Sequence, residues 1–274
     1  MTDKDSAELL LGKQTPVVDE YAPQLLFPIP RADGRSRIDL GEALPFSGVD
    51  VWHAYEMSWL DPKGKPVCKV GRFSIPADSP NMVESKSFKL YLNSLNSTSF
   101  KSPSELRQVI EADLSKILGV TPIIELFAVD DSALAGTGLQ GNPIDDLKPD
   151  TIADEPSVDL LTTAGNEVIE EALYTHLLRS LCPVTGQPDW ASVWLKYRGR
   201  AITHSSLLGY FISFRKHQEY HEQCVERMFR DIAETTEAEH LQIQACYTRR
   251  GGLDINPFRS TDPAAKPLPR LNRQ

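Results

Sequence analysis

The sequence predicts an α+β fold made of two tandem modules, and three observations carry that expectation. Residues 51–129 read as β-β-α-α-β, with aromatic-rich alternating stretches followed by stretches of helical period. The same order returns over residues 171–249. Short segments of the two halves also align. Leu60-Asp61-Pro62-Lys63-Gly64-Lys65-Pro66 lies against Leu181-Cys182-Pro183-Val184-Thr185-Gly186-Gln187-Pro188 with one inserted residue. Likewise Val83-Glu84-Ser85-Lys86-Ser87-Phe88-Lys89-Leu90-Tyr91 lies against Ile202-Thr203-His204-Ser205-Ser206-Leu207-Leu208-Gly209-Tyr210. Identity is low, so the order of elements is the stronger signal of a repeat.

Residues 1–50 are expected to be an extended N-terminal segment, because Pro16, Pro23, Pro28, Pro30 and Pro45 interrupt each short apolar run. The first module spans 51–145. Strands are expected at 51–59 and 66–76, either side of the Pro62-Lys63-Gly64 turn, and a helix over 84–95. A second helix starts where Ser102 can cap it, with Pro103 in its first turn and Glu105 placed for a capping box. Its expected core face is Leu106, Val109, Ile110, Leu114 and Ile117, and Gly119 ends it. A strand follows at 122–129. Residues 141–171 hold nine Asp or Glu against one Lys, with three prolines, which marks a linker at 146–170. The second module, 171–274, should carry strands at 171–181 and 190–199, helices at 205–217 and 219–234, and a strand at 241–249.

Composition bounds the function. The chain has 274 residues, 41% hydrophobic and 24% charged, with net charge −9. That suits a globular protein with a sizeable core, and argues against sequence-independent nucleic-acid binding, which needs a basic face. The start, MTDKDSAELLLGK, lacks a basic region followed by a long apolar run, so no signal peptide is expected, and no apolar stretch approaches the roughly 20 residues that span a bilayer. Cys68, Cys182, Cys224 and Cys246 are scattered, as suits thiols in a reducing, cytoplasmic compartment.

Cys182 closes a strand and enters a Pro/Gly turn that returns to Asp189, an arrangement that can hold a side chain and keep it reachable. A thiol with its ordinary pKa of about 8.5 needs help to become a thiolate, and an imidazole nearby would give it. From spacing alone, a buried cysteine before an ordinary turn accounts for the pattern equally. His221, Cys224, Val225 and Met228 share one helical face, and a buried His221-Glu222 pair at a helix start is costly unless it binds something. A carboxylate there can accept two parallel hydrogen bonds from a guanine-like edge; it can equally serve the helix dipole. If Cys182 faces this helix, it could meet Cys224 in a reversible disulfide. His217 and His221 have metal-compatible spacing but no third ligand, so no metal is expected. Gly136-Thr137-Gly138-Leu139-Gln140-Gly141 matches a dinucleotide motif in the wrong context, before Asn142-Pro143, and reads as a loop. Lys86 and Lys89 at a helix start, and Arg249-Arg250-Gly251-Gly252 after a strand, are cation sets able to take phosphates, or charged surface.

Glu84-Ser85-Lys86-Ser87-Phe88-Lys89-Leu90-Tyr91 resembles the signature of the NADPH-dependent 7-cyano-7-deazaguanine reductases of queuosine biosynthesis. Cys182 with Gln187-Pro188-Asp189-Trp190, His221-Glu222-Gln223-Cys224, and Tyr247-Thr248-Arg249-Arg250-Gly251-Gly252-Leu253-Asp254-Ile255-Asn256-Pro257 are similar to the rest of it, over nearly the whole chain. The resemblance implies tunnelling-fold modules, each an antiparallel sheet with two helices on one face, joined edge to edge into a barrel in a homodimer, with sites between modules. It implies that Cys182 attacks a nitrile to give a thioimide, Asp189 protonates the nitrogen, and His221 assists proton transfer. It also implies that Val83, Glu84, Ser85, His221 and Glu222 hold the deazapurine, with Tyr220 stacking on it. Ser85, Lys86, Arg250 and Gly251 would hold NADPH, with Lys89 near its phosphates. No direct nucleic-acid or membrane contact is implied. Two other readings compete: a Cys-His-Asp hydrolase or amide-transfer enzyme, and a pterin- or purine-binding protein of the same fold without redox activity.

Overall fold

The computed structural model describes Val18 and residues 20–274. The rest of the expected N-terminal extension, residues 1–17 and 19, lies outside the described residues. In chain order the elements are β1 (Pro28–Pro30), α1 (Arg31–Ser36), β2 (Ser47–Leu60), β3 (Pro66–Pro76), β4 (Asn81–Val83), α2 (Ser85–Ser94), α3 (Pro103–Leu118), β5 (Ile123–Phe127), β6 (Asn142–Pro143), β7 (Thr163–Leu181), β8 (Pro188–Ile202), α4 (His204–Ser213), α5 (His221–Thr236), β9 (His240–Tyr247) and β10 (Leu253–Ser260). They divide into two compact units. One holds the described residues up to Gly34 with Val51–Ala135 and Arg249–Asp254; the other holds Arg35–Asp50, Gly136–Thr248 and Ile255–Gln274.

In the first unit the strand order is β5-β3-β2, and β3 pairs antiparallel with β5 from Val70↔Phe127 to Ser74↔Ile123. The expected helices form where their caps put them. Ser102 accepts from the Glu105 N–H at 3.2 Å, and Gly119 takes the left-handed C-terminal position at φ 77°. The capping box is displaced by one residue: the Glu105 carboxylate takes the N–H of Lys101, at 2.5 Å, not that of Ser102. The buried stripe of α3 is also rotated from the expected one. Leu118 and Asp113 are buried, while Val109 and Ile117 are half-buried. Asp113 turns inward because the buried Tyr91 hydroxyl, at 2.8 Å, and the Tyr21 hydroxyl, at 2.5 Å, both need an acceptor.

In the second unit the order is β10-β9-β8-β7-β6. Helices α4 and α5 pack on β7, β8 and β9. Phe211, Val225, Met228, Phe229 and Ile232 are fully buried between the layers; each such side chain contributes roughly 1.5–3 kcal/mol. Three expectations are corrected here. β7 begins at Thr163, not 171, so part of the acidic stretch is strand. Glu170 there stands opposite Arg198 and pairs with Lys196 at 2.9 Å. β10 is a strand that periodicity did not reveal. All eight of its residues are buried, and Asp254, Asn256, Pro257 and Arg259 break any alternation. The helix expected over 205–217 ends at Ser213 and finishes in a tighter 3-10 turn, Phe214–Lys216.

Arg259 explains why so polar a strand can be buried. Its guanidinium is wholly enclosed and donates to Asp50 at 2.7 Å and to Glu226 on α5 at 2.8 and 3.1 Å. Arg35 meets the same Glu226 with two bonds of 2.8 and 2.9 Å.

The repeat is visible in the hydrogen bonds of each unit. Ser87 donates to the Glu84 carbonyl at 2.7 Å; Ser206 donates to the Thr203 carbonyl at 2.8 Å. Ser94 donates to the Tyr91 carbonyl and Ser213 to the Tyr210 carbonyl, both at 2.6 Å. The Tyr91–Asp113 bond of 2.8 Å is matched by Tyr210–Asp231 at 2.7 Å. The serine and tyrosine pairs keep the register of the sequence alignment, and Asp231 stands one residue short of it.

Candidate active site

Cys182 follows the last pair of the β7–β8 hairpin, Leu181↔Pro188. Its N–H donates to the Gln187 carbonyl and its own carbonyl accepts from Gly186, both at 2.9 Å. The turn closes through Gly186 at φ 67°, a left-handed position that suits glycine. Cys182 is therefore fixed at the backbone, and its residue surface is 8% exposed. The repeat shows what this turn is without the thiol. Asp61 makes the same pair of backbone bonds, with Lys65 and Gly64, and its carboxylate caps the N–H groups of Lys63 and Lys65 at 2.8 and 2.9 Å. Asp61 stabilises its own turn; Cys182 makes no such use of its side chain.

Asp189 lies opposite Ser180 at the same end of the hairpin and is 3% exposed. The segment leading into α5 is tied to that end as well. The Leu181 N–H donates to the His217 carbonyl at 2.9 Å, and the Glu219 N–H donates to the Leu181 carbonyl at 3.3 Å. Two residues later, His221 places Nε2 3.1 Å from Asp189 Oδ2. Glu222 follows in the first turn of α5 and is 4% exposed. Asp189 and His221 are thus in contact at the end of the β7–β8 hairpin that runs into the Cys182 turn, and Glu222 follows His221 in the first turn of α5. The other cysteine of α5 differs in kind. Burial, then the charge of Glu219, pushes the Cys224 thiol well above its usual range, so it stays protonated and is a poor nucleophile. Among the described residues no disulfide joins any of the four cysteines.

Three participants went unread in the sequence. The Tyr247 ring stacks on His221 with centroids 3.7 Å apart and planes 16° from parallel. Glu219 receives Arg227 at 2.8 and 3.1 Å and His217 Nε2 at 3.0 Å, which secures the segment before His221. Burial works against the Glu219 charge, but His217 and Arg227 prevail and hold its carboxyl below the usual range. His217 Nδ1 faces Glu155 at 2.9 Å, so the two imidazoles once considered for a metal engage different carboxylates. Among the described residues, no group of three or more His, Cys, Asp or Glu is arranged to hold a metal.

In the first unit, Val83 ends β4 and Glu84 caps α2. The Glu84 carboxylate accepts from Lys86 N–H at 2.9 Å and Ser87 N–H at 2.6 Å, so its burial is already compensated by the helix it starts. Burial still raises its carboxyl above the usual range, against the pull of those bonds. Ser85 is half-buried and Lys86 exposed. Arg250 and Leu253 exchange backbone bonds of 2.9 and 3.0 Å around Gly251 and Gly252, at φ 56° and 81°, a turn type that needs glycine-like freedom at both positions. A Cβ on Gly251 would come within 3.0 Å of Lys89 Nζ. Arg249 lies flat on Tyr55, 3.4 Å from its centroid, and the Tyr55 hydroxyl bonds Asp254, which also holds His53 at 2.7 Å. Lys89, whose Nζ lies beside this turn, pairs with Glu56 at 3.7 Å. The Gly136–Gly141 stretch is a loop with no helix after it.

Residues 17–126 match the family model described as nitrile reductase, 7-cyano-7-deazaguanine-reductase N-term, and residues 188–266 match QueF-like protein. A curated relative from Dechloromonas aromatica (strain RCB), NADPH-dependent 7-cyano-7-deazaguanine reductase, is 51% identical over 259 residues, covering 94% of this chain and 92% of that protein. A solved structure of the archaeosine synthase QueF-Like in the apo form aligns with 37% of this chain and 99% of its own, at 12% identity and a TM-score of 0.31.

Proposed function

This chain belongs to the 7-cyano-7-deazaguanine reductase family, and we propose that it reduces the nitrile of 7-cyano-7-deazaguanine to the aminomethyl group, in queuosine biosynthesis, through a covalent adduct on Cys182. The observation that supports the mechanism is His221 Nε2 at 3.1 Å from Asp189 Oδ2, at the hairpin end that runs into the closed turn of Cys182.

The Cys182 sulfur adds to the nitrile carbon. One C–N π bond breaks, and the proton lost from the thiol reaches nitrogen through Asp189, giving a neutral thioimide. NADPH, when bound, supplies a hydride at each of two stages. After the first, nitrogen takes a proton, the C–S bond breaks, and the thiol is restored as the imine forms. After the second, nitrogen takes another proton from the Asp189–His221 pair and becomes the amine. The sum is one nitrile, two NADPH and two protons to one amine and two NADP⁺. His221 keeps the proton source aimed at nitrogen through both stages.

Glu222 accepts the ring N–H and exocyclic NH2 of the deazaguanine. A ligand without those donors would leave a buried carboxylate unpaired, and so be rejected. Val83, Glu84, Ser85 and His221 complete the base contacts, with Tyr220 against the ring. Ser85, Lys86, Arg250 and Gly251 hold NADPH, and Lys89 supports its phosphates. The modules are of tunnelling type and close into a barrel in a homodimer. The net charge of −9 supports a protein that binds no nucleic acid directly. Among the described residues no helix is long and apolar enough to cross a membrane, and we assign the enzyme to the cytoplasm.

The test is NADPH oxidation by the pure protein with 7-cyano-7-deazaguanine. Two NADPH per amine are expected, and a mass adduct should form on the wild type with nitrile alone and vanish in Cys182→Ala. No oxidation, or an adduct that survives Cys182→Ala, would overturn the reading. Hydrolysis of the nitrile without NADPH would favour a Cys-His-Asp hydrolase.

A further inference from the structure

We propose that Tyr247 is a positioning residue for this reaction, holding the His221 imidazole on Asp189 by stacking on its face; the role rests on the reading above. Tyr247 ends β9 opposite Ala191 of β8. Asp189 is two residues before Ala191 and so projects from the same face, making Asp189 and Tyr247 diagonal neighbours across the ladder. Their side chains bracket the start of α5, where His221 enters. One face of the imidazole is covered by the Tyr247 ring, with centroids 3.7 Å apart and planes 16° from parallel, and its Nε2 stands 3.1 Å from Asp189 Oδ2. These two contacts fix both the plane of the imidazole and its rotation in that plane.

The Tyr247 ring is itself immobilised. Its residue is 1% exposed. Its backbone carbonyl accepts the Gln274 side-chain amide at 2.9 Å, and the next residue, Thr248, donates its N–H to the Trp190 carbonyl at 2.8 Å. Its buried hydroxyl has no hydrogen-bond partner among the described residues, so the ring is held by packing and by its backbone. Burial pushes that phenol far up, so Tyr247 stays neutral and supplies a face and an edge, not a proton. The same strand-to-helix arrangement therefore sets Asp189, Tyr247 and His221 together, and the flat ring is the part that a non-aromatic side chain cannot replace.

Tyr247→Leu tests this. Competent sites are counted by the Cys182 adduct formed with 7-cyano-7-deazaguanine alone, read by intact mass. Turnover per counted site is then measured with NADPH. Tyr247→Leu should lower kcat per site about 10- to 100-fold, as expected for a displacement near 1 Å, with KM for the nitrile changed less than about threefold. Tyr247→Phe, which keeps the ring, should restore kcat to within about threefold of wild type. If Leu fails to fold, Tyr247→Met carries the same comparison. A merely structural tyrosine would lower the number of adduct-forming sites but not kcat per site. Unchanged kcat per site in the Leu or Met variant, or equal losses in the Phe and Leu variants, would overturn the positioning role alone. Absence of NADPH oxidation by the wild type would overturn the proposed function and this role with it.

Discussion

Arg259→Met removes the cation from a fully enclosed cluster. In the native protein the guanidinium is 0% exposed and serves Asp50, at 0% exposure, and Glu226, at 2%. Arg35 still meets Glu226, so that carboxylate keeps one cation, while Asp50 loses the 2.7 Å bond from Arg259. Breaking a buried ion pair from one side costs about 3–5 kcal/mol. At about 2–4 °C per kcal/mol for a chain near this size, Tm should fall by roughly 6–20 °C. The consequence for the site follows from geometry: Glu226 is one helical turn after Glu222 on α5, so the cluster anchors the helix whose first turn carries His221 and Glu222. Thermal unfolding by circular dichroism reads the effect, and Asp50→Asn in the Arg259→Met background should recover part of it, because a neutral amide is cheaper to leave buried than a carboxylate. A Tm loss under about 3 °C in Arg259→Met would refute the view that this cluster secures α5.

Asp189→Asn keeps the shape beside His221 but removes the transferable proton; kcat should fall about 10²- to 10⁴-fold, read by NADPH oxidation, and a loss under tenfold would take Asp189 out of proton transfer. Gly252→Ala forces a Cβ to within 2.5 Å of the Glu56 carboxyl at a position with φ 81°, so KM for NADPH should rise more than KM for the nitrile in steady-state assays. The His217–Glu219 pair predicts a pH window. Burial lowers the His217 pKa, but Glu219, then Glu155, outweigh it and leave it above the ordinary 6.5, so its stabilisation is complete below pH 6.5 and is lost as pH rises through the raised value. Glu219 lies below its ordinary 4.5, so its share is present above pH 4.5 and lost as pH falls through the lowered value. Wild-type Tm should therefore decline above pH 6.5 more steeply than that of His217→Gln, as measured across buffers by calorimetry; identical slopes would count against the pair.

Local chemistry made much of this legible in the amino-acid sequence. Ser102 with Pro103 and Gly119 fixed α3 because caps act within one turn. Cys182, Asp189, His221 and Glu222 could be singled out because a cysteine at a strand end and a His-Glu pair at a helix start are unusual placements, and the family resemblance implied their roles. The repeat register was readable from Tyr91 against Tyr210, which make matching bonds to Asp113 and Asp231. What tertiary structure alone decided involves partners distant in the chain. Periodicity could not show that Asp113 would turn inward for two tyrosine hydroxyls, or that an acidic segment would become strand once Lys196 and Arg198 faced Glu170. Nor could it show β10, whose buried Arg259 reads as surface until Asp50, 209 residues away, and Glu226 surround it. Tyr247 on His221 is the same kind of fact: an aromatic residue at a strand end has many possible neighbours, and only the packing of β9 against α5 selects an imidazole.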